Sequence, residues 1–217
     1  AGQPQPRIEG AVNVPIFQSS TFEYKGQKNY DDLVYVRLNN TPSHTSVSNK
    51  IAELEGADRA LVTSSGMSAI TTTLLHFLKS GDHVIAHKNL YGGTAHFMQH
   101  GLPSYGIDVD FIDARDASGW EKKLKPNTKV IYVETMTNPL VEVLELGKVV
   151  EFANNNNLIS IIDNTFASPV IFCPIQFGFD ISLHSATKYL NGHSDLAAGA
   201  IIGSADKIKK ISSTLNH

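Results

Sequence analysis

Residues 158–163 read LISIID, and residues 180–185 read DISLHS. Each is a short, nearly unbroken apolar run closed by a polar group, the pattern of a strand covered on both faces. Similar runs stand at 60–64 (ALVTS), 83–87 (HVIAH), 109–113 (VDFID), 129–134 (KVIYVE) and 197–203 (AAGAIIG). Between them lie segments of helical character at 66–79, 92–101, 117–124, 145–155 and from about Ala205 onward. In the first of these, Ile70, Leu74, Phe77 and Leu78 share one face, with Ser64 and Ser65 as caps and Gly81 beyond its end. Strands alternating with helices predict an α/β fold, a mainly parallel sheet between helices.

Residues 1–56 read differently. They hold Pro4, Pro6, Pro15 and Pro42 and show no sustained period until SVSNKIAELEG at 46–56, a helix closed by Gly56. The expected division is an extended arm over 1–56 that contacts a neighbouring subunit, then a sheet domain over 57–217. The four asparagines at 154–157 read as a helix C-terminal turn.

With 41% hydrophobic and 18% charged residues, the chain of 217 residues is able to bury a real core. A formal net charge of −3 offers no electrostatic case for nucleic acid or an anionic membrane as partner. The lysines of KKLK and KIKK fit solvated helix faces. No apolar run approaches the ~20 residues of a membrane span. Cys173 is the only cysteine, which excludes an internal disulfide and fits a reducing, cytoplasmic compartment. Phe172 and Pro174 beside it point to a buried structural thiol. The opening AGQPQPRIEG lacks the basic and apolar regions of a signal peptide, and the missing initiator Met points to residues absent upstream. His96 and His100, four apart, have no third ligand in view, so no metal is expected.

In open α/β sheets, ligands sit beyond the carboxyl ends of the strands. Several chemically capable groups fall there, each with a plain structural reading of its own. The loop before the helix in TSSGMSAI leaves the amides of Gly66 and Met67 at a positive dipole end, an anion site that many small-residue helix starts share. Asp163 closes an apolar strand, where its desolvation calls for a helix terminus, a side chain or a protonated heterocyclic nitrogen. Ser185 and Thr187, two apart, project to one side and are able to clamp an oxyanion. Lys188 follows at the strand end, either a surface lysine or an amine partly removed from water, as carbonyl-condensing lysines require. Tyr91 in NLYGGT offers a flat face and a phenol ahead of two glycines. Asn138 in TMTNPL ends another strand. The patterns G-x-G-x-x-G and G-x-x-x-x-G-K-[ST] are absent.

Taken together, these groups match one cofactor, pyridoxal 5′-phosphate. Its phosphate needs amides and hydroxyls, its ring a stacking partner, its pyridine nitrogen a carboxylate and its aldehyde a lysine.

From EGAVNVPIFQSSTF to SATKYLNGHSDLAAGAIIGS, with SSGMSAI and DNTFASP between, the sequence resembles the Cys/Met-metabolism (trans-sulfuration) family of fold-type I pyridoxal-phosphate enzymes. This family includes cystathionine γ-synthases, cystathionine lyases, methionine γ-lyases and homoserine-ester sulfhydrylases. The resemblance implies Lys188 as the lysine that condenses with the cofactor aldehyde and shuttles protons. It implies Asp163 at the pyridinium, Tyr91 stacked on the ring and assisting proton transfer, and Asn138 near the phenolic oxygen. Gly66, Met67, Ser185 and Thr187 would hold the phosphate. Tyr35 and Arg37 in YVRLNN match the pair that the family lends to a neighbouring subunit's phosphate.

It further implies a homotetramer built as a dimer of dimers, small amino-acid substrates, and β/γ-elimination or γ-replacement, cystathionine γ-lyase or γ-synthase chemistry fitting best. The alternatives are a homoserine-ester sulfhydrylase and an inactive cofactor-binding or assembly module. After Arg37 the chain reads Leu-Asn-Asn-Thr-Pro where many relatives have x-x-Asn-Pro-Thr. Gly92-Gly93 replaces the Gly-Cys that typically follows the tyrosine of methionine γ-lyases. Family members run to roughly twice this length. The expectation is a fragment without the C-terminal domain and its arginine for the substrate carboxylate.

Overall fold

Seven strands form one sheet: β1 (Arg59–Thr63), β2 (His83–His87), β3 (Asp108–Ile112), β4 (Thr128–Glu134), β5 (Ile159–Asp163), β6 (Ile181–His184) and β7 (Gly199–Gly203). All seven stand where the apolar runs place them. The computed structural model describes Gly2 and residues 4–216. Across the sheet the order is β1, β7, β6, β5, β4, β2, β3. Six strands point the same way, while β7 runs antiparallel to both its neighbours, β1 and β6. The reversal has a local cause. The connection 185–198 contains no helix, and a parallel return needs a crossover that such a loop does not supply.

The helices are α1 (Pro42–Glu55), α2 (Gly66–Phe77), α3 (Gly92–His96), α4 (Leu102–Ser104), α5 (Leu146–Asn155), α6 (Ser168–Ile171), α7 (Pro174–Phe177) and α8 (Ala205–Asn216). Two expectations are corrected. The helix expected over 92–101 is α-helical only to His96 and continues as a π-turn over Phe97–Gly101. The segment 117–124 forms two 3-10 turns, Ala117–Gly119 and Glu121–Lys123. Trp120 decides the second case: its ring is buried and its Nε1 donates to the Asp113 carbonyl at 2.9 Å, which anchors the chain between the turns. The short helices α6 and α7 follow Ala167 and Cys173 and were not expected. Thr41 precedes Pro42 at the first turn of α1, four residues earlier than the apolar pattern showed, because proline's fixed φ suits that position. Helix α5 ends in the asparagine run, with Asn157 in the left-handed region.

Alternate residues of the central strands feed opposite cores. Tyr132 and Ile161 pack with Leu74 and Met98 on one side, and Ile131 and Ile162 pack with Val149 and Trp120 on the other. Both faces are therefore covered, which is why these strands are apolar throughout. Ile51 and Ala52 of α1 pack with Ala60, Ala200 and Ile202 at the β1–β7 edge. The N-terminal stretch before α1 carries little regular structure beyond 3-10 turns and a Thr21–Tyr35 bridge. Among the described residues, no helix is long and apolar enough to cross a membrane.

Candidate active site

Because six strands run in parallel, their carboxyl ends gather along one rim, and a cavity of about 260 Å³ opens there. Gly66, Met67, Tyr91, Asn138, Asp163, Ser185, Thr187 and Lys188 all line it. Eight of the ten residues singled out in the sequence thus meet at one place. Tyr35 and Arg37 do not: the Arg37 guanidinium lies over the Tyr35 ring at 5.3 Å and donates to Tyr30 Oη at 3.1 Å, away from this cavity.

The first wall is the start of α2. Ser65 caps it, its Oγ accepting from the Ser68 amide at 3.0 Å. The Gly66 and Met67 amides find no acceptor among the described residues. A Cβ on Gly66 would lie 2.7 Å from the Ser185 Cβ, so glycine alone lets the helix start meet the loop after β6. On that loop, Ser185 Oγ is not engaged by any described residue. Thr187 is held differently. Its Oγ1 donates to the Ala198 carbonyl at 3.2 Å and accepts the Ala198 amide at 3.0 Å, which pins the loop against the lead-in to β7.

Asp163 forms the floor. Its Oδ1 accepts from the Thr165 amide at 2.9 Å and from Thr165 Oγ1 at 2.5 Å, and no described residue donates to Oδ2. Thr165 Oγ1 also accepts the Ser185 amide at 2.8 Å, tying the acid to the hydroxyl loop. Burial pushes the Asp163 carboxyl up from its ordinary value, and the Thr165 bonds and the nearby His184 imidazole act the other way. Lys188 lies exposed at the cavity mouth, and no carboxylate pairs with its amine among the described residues. Its backbone is fixed by bonds from Lys188 N to the Ser185 carbonyl and from Gly192 N to the Lys188 carbonyl.

Tyr91 caps α3 with its side chain half in solvent, and a Cβ on Gly93 would lie 2.8 Å from its ring. The second glycine of NLYGGT therefore makes room for the tyrosine itself. Glu134 was missed at the sequence level. It ends β4 directly opposite Asp163 and accepts the Tyr91 amide at 2.7 Å. The signal was the one that singled out Asp163, a carboxylate closing an apolar strand. Burial first, then the Asp163 charge, pushes Glu134 up to about 8.

That shift has a measurable sign. Glu134 binds a proton in the folded state between its unfolded value of 4.5 and about 8, so its contribution to stability is present below that window and is lost as pH rises through it. Glu134→Gln should therefore gain stability relative to the parent as pH rises through this window, measured as the difference of two urea-unfolding curves at each pH. A pH-independent difference would refute this reading of Glu134.

The donor set has a definite chemistry. Among the described residues, two unpaired amides and a free hydroxyl line the cavity with an open carboxylate oxygen and an unpaired primary amine. An anion, a cationic ring nitrogen and a carbonyl are the respective complements. The sequence profile of the Cys/Met metabolism PLP-dependent enzymes matches residues 1–217. The chain belongs to this family. Pyridoxal phosphate is the family's cofactor, and the cavity fits it: the Gly66 cradle, the open Asp163 Oδ2 and the unpaired Lys188 amine each answer one of its groups.

Among curated proteins, a probable cystathionine gamma-synthase of Herpetosiphon aurantiacus is 42% identical over 208 residues, covering 96% of this chain and 65% of that protein. An L-methionine gamma-lyase of Treponema denticola is 40% identical, over 93% of this chain and 53% of that protein. The chain thus spans about half the length of most of the curated relatives it matches. Among solved structures, a cystathionine gamma-lyase from Lactobacillus plantarum superposes with a TM-score of 0.89 at 36% identity, over 95% of this chain and 54% of that one. The relatives thus include both lyases and synthases.

Cys173 is half-buried, its Sγ set against the Leu54 and Pro169 carbonyls, and burial raises its thiol. The His96 and His100 rings lie 4.8 Å apart, and no cluster able to hold a metal occurs among the described residues.

Proposed function

We propose that this chain forms the cofactor half of a trans-sulfuration enzyme that catalyses β/γ-elimination or γ-replacement on sulfur amino acids or homoserine esters, cystathionine γ-lyase or γ-synthase chemistry fitting best. The observation that carries the proposal is the meeting of Asp163, Tyr91, the Gly66 helix start, Ser185 and an unpaired Lys188 in one cavity.

When bound, pyridoxal phosphate supplies an aldehyde that bonds an amino nitrogen and a ring that takes up negative charge from the adjacent carbon. In this reading the Gly66 and Met67 amides, at the positive end of α2, hold the phosphate together with the Ser185 hydroxyl. Thr187 contributes through the loop it pins. Asp163 Oδ2 would accept a hydrogen bond from the protonated ring nitrogen, and Thr165 keeps that carboxylate aimed. Tyr91, lining the cavity, would stack on the ring and its phenol would assist proton transfer, and Asn138 would lie near the phenolic oxygen. Lys188 Nζ takes the proton from the substrate carbon next to the nitrogen and, for γ-chemistry, moves a second proton from the neighbouring carbon. Tyr35 and Arg37, away from this cavity, reach the phosphate of a neighbouring subunit in a homo-oligomer.

Assays of the full-length protein with cystathionine, with methionine and with an O-acylhomoserine plus a thiol decide the activity. Turnover of cystathionine or its formation is expected. Cofactor binding without turnover of any of the three would overturn the catalytic reading in favour of an inactive binding module.

A further inference from the structure

On the α1 side of the sheet, beneath the cavity, Glu55 is completely buried. One oxygen, Oε1, takes His184 Nε2 at 2.5 Å, Asn164 Nδ2 at 3.2 Å and Ser182 Oγ at 3.3 Å. The other, Oε2, is buried with no hydrogen-bond partner among the described residues. Asn164 and His184 are themselves almost fully buried. A carboxylate so far from water costs several kcal/mol unless it is compensated, and here it is only half satisfied. An apolar side chain would pack this interior with no such cost. Stability alone therefore does not explain Glu55.

What Glu55 joins does explain it. Asn164 directly follows Asp163 at the end of β5, and His184 directly precedes Ser185 at the end of β6. One carboxylate oxygen thus fastens from below the two strand ends that carry the floor acid and the free hydroxyl. The link continues above: Asn164 Oδ1 accepts from Thr135 Oγ1 at 2.8 Å, and Thr165 bridges Asp163 to Ser185. The acceptor at Nε2 also fixes the proton-bearing nitrogen of His184.

We propose that Glu55 and His184 are positioning residues for Asp163: the pair clamps the ends of β5 and β6 together and so keeps the Asp163 carboxylate aimed at the place of the cofactor's ring nitrogen. The proposal rests on the function argued above. The imidazole of His184 is among the groups that oppose burial at Asp163, consistent with this role.

Glu55→Gln is a clean probe. Its neutral carbonyl oxygen is a weaker acceptor for the three donors than the carboxylate, so the clamp is loosened while the side chain's shape is kept. The dissociation constant for pyridoxal phosphate is measured by equilibrium dialysis on the full-length protein, for the parent, Glu55→Gln, Asp163→Asn and the double variant. Glu55→Gln should weaken binding about ten-fold in the parent and less than about two-fold in the Asp163→Asn background, because the effect passes through Asp163. A purely structural role predicts the same loss in both backgrounds, and that result, or parent-like binding by Glu55→Gln, overturns the proposal. His184→Asn attacks the pair from its other side and should give the same pattern. If neither variant folds, the pair is a folding element and the proposal is wrong. A parent chain that binds no pyridoxal phosphate overturns the functional reading and this inference with it. Binding by the parent and equal binding by Glu55→Gln sinks this inference alone.

Discussion

Lys188→Ala should leave a folded protein that no longer bonds pyridoxal phosphate covalently and turns over substrate on the order of 10³-fold more slowly or worse. The structural side is simple: Lys188 is exposed and its side chain has no ion-pair partner among the described residues, so its removal breaks no buried contact. Its loop is held by backbone bonds and by Thr187, both kept in the variant. The chemical side is severe, because one amine serves both as the group that bonds the aldehyde and as the base at the substrate carbon. Borohydride reduction followed by peptide mass mapping checks the first role. The parent should carry the cofactor mass on the peptide containing Lys188, and the alanine variant should carry none. Cofactor mass on another lysine, or a parent-like visible absorption band in the variant, would remove Lys188 from the centre of the site.

The second large effect is expected at Asp163. In Asp163→Asn, the amide oxygen is able to keep both Thr165 bonds at the Oδ1 position, and an uncharged NH₂ replaces Oδ2 at the cavity floor. Losing one member of a buried charge pair costs about 3 kcal/mol, so the affinity for pyridoxal phosphate should fall roughly 10²-fold, with turnover falling further. The cofactor-free protein should respond in the opposite sense. Burial already works against the ionised Asp163, so the neutral amide should leave the thermal midpoint unchanged or raise it. Isothermal titration and calorimetry on the same preparations separate the two effects. A variant that loses stability and keeps cofactor affinity would show Asp163 to be a structural acid.

Both predictions rest on residues that were legible before any coordinates. Asp163 announces itself because a carboxylate closing an apolar strand breaks a local rule, whereas Lys188 taken alone reads as a surface lysine and stands out only beside Asp163, Tyr91, Asn138 and the Gly66 helix start. The seven strands were legible for a related reason: a strand covered on both faces must be apolar at successive positions, and that signal is local. Glu134 obeys the same rule as Asp163 and was overlooked beside it. Glu55 gave no such signal. In AELEG it reads as one more polar residue on an amphipathic helix, and its burial follows from how α1 packs on the β1–β7 edge.

By itself, then, the sequence determined the α/β class, the strand positions and the cofactor of the family, and it singled out eight residues that line one cavity, since composition and short-range pattern are written along the chain. Tertiary structure alone decided three things. It reversed β7, because the loop between β6 and β7 holds no crossover helix. It separated the free Ser185 hydroxyl from the Thr187 hydroxyl committed to Ala198. And it brought Glu55, 129 positions away in the chain, to His184. Each is a matter of which distant groups share a hydrogen bond in a buried place, and pairings across such separations leave no periodic trace in a single sequence.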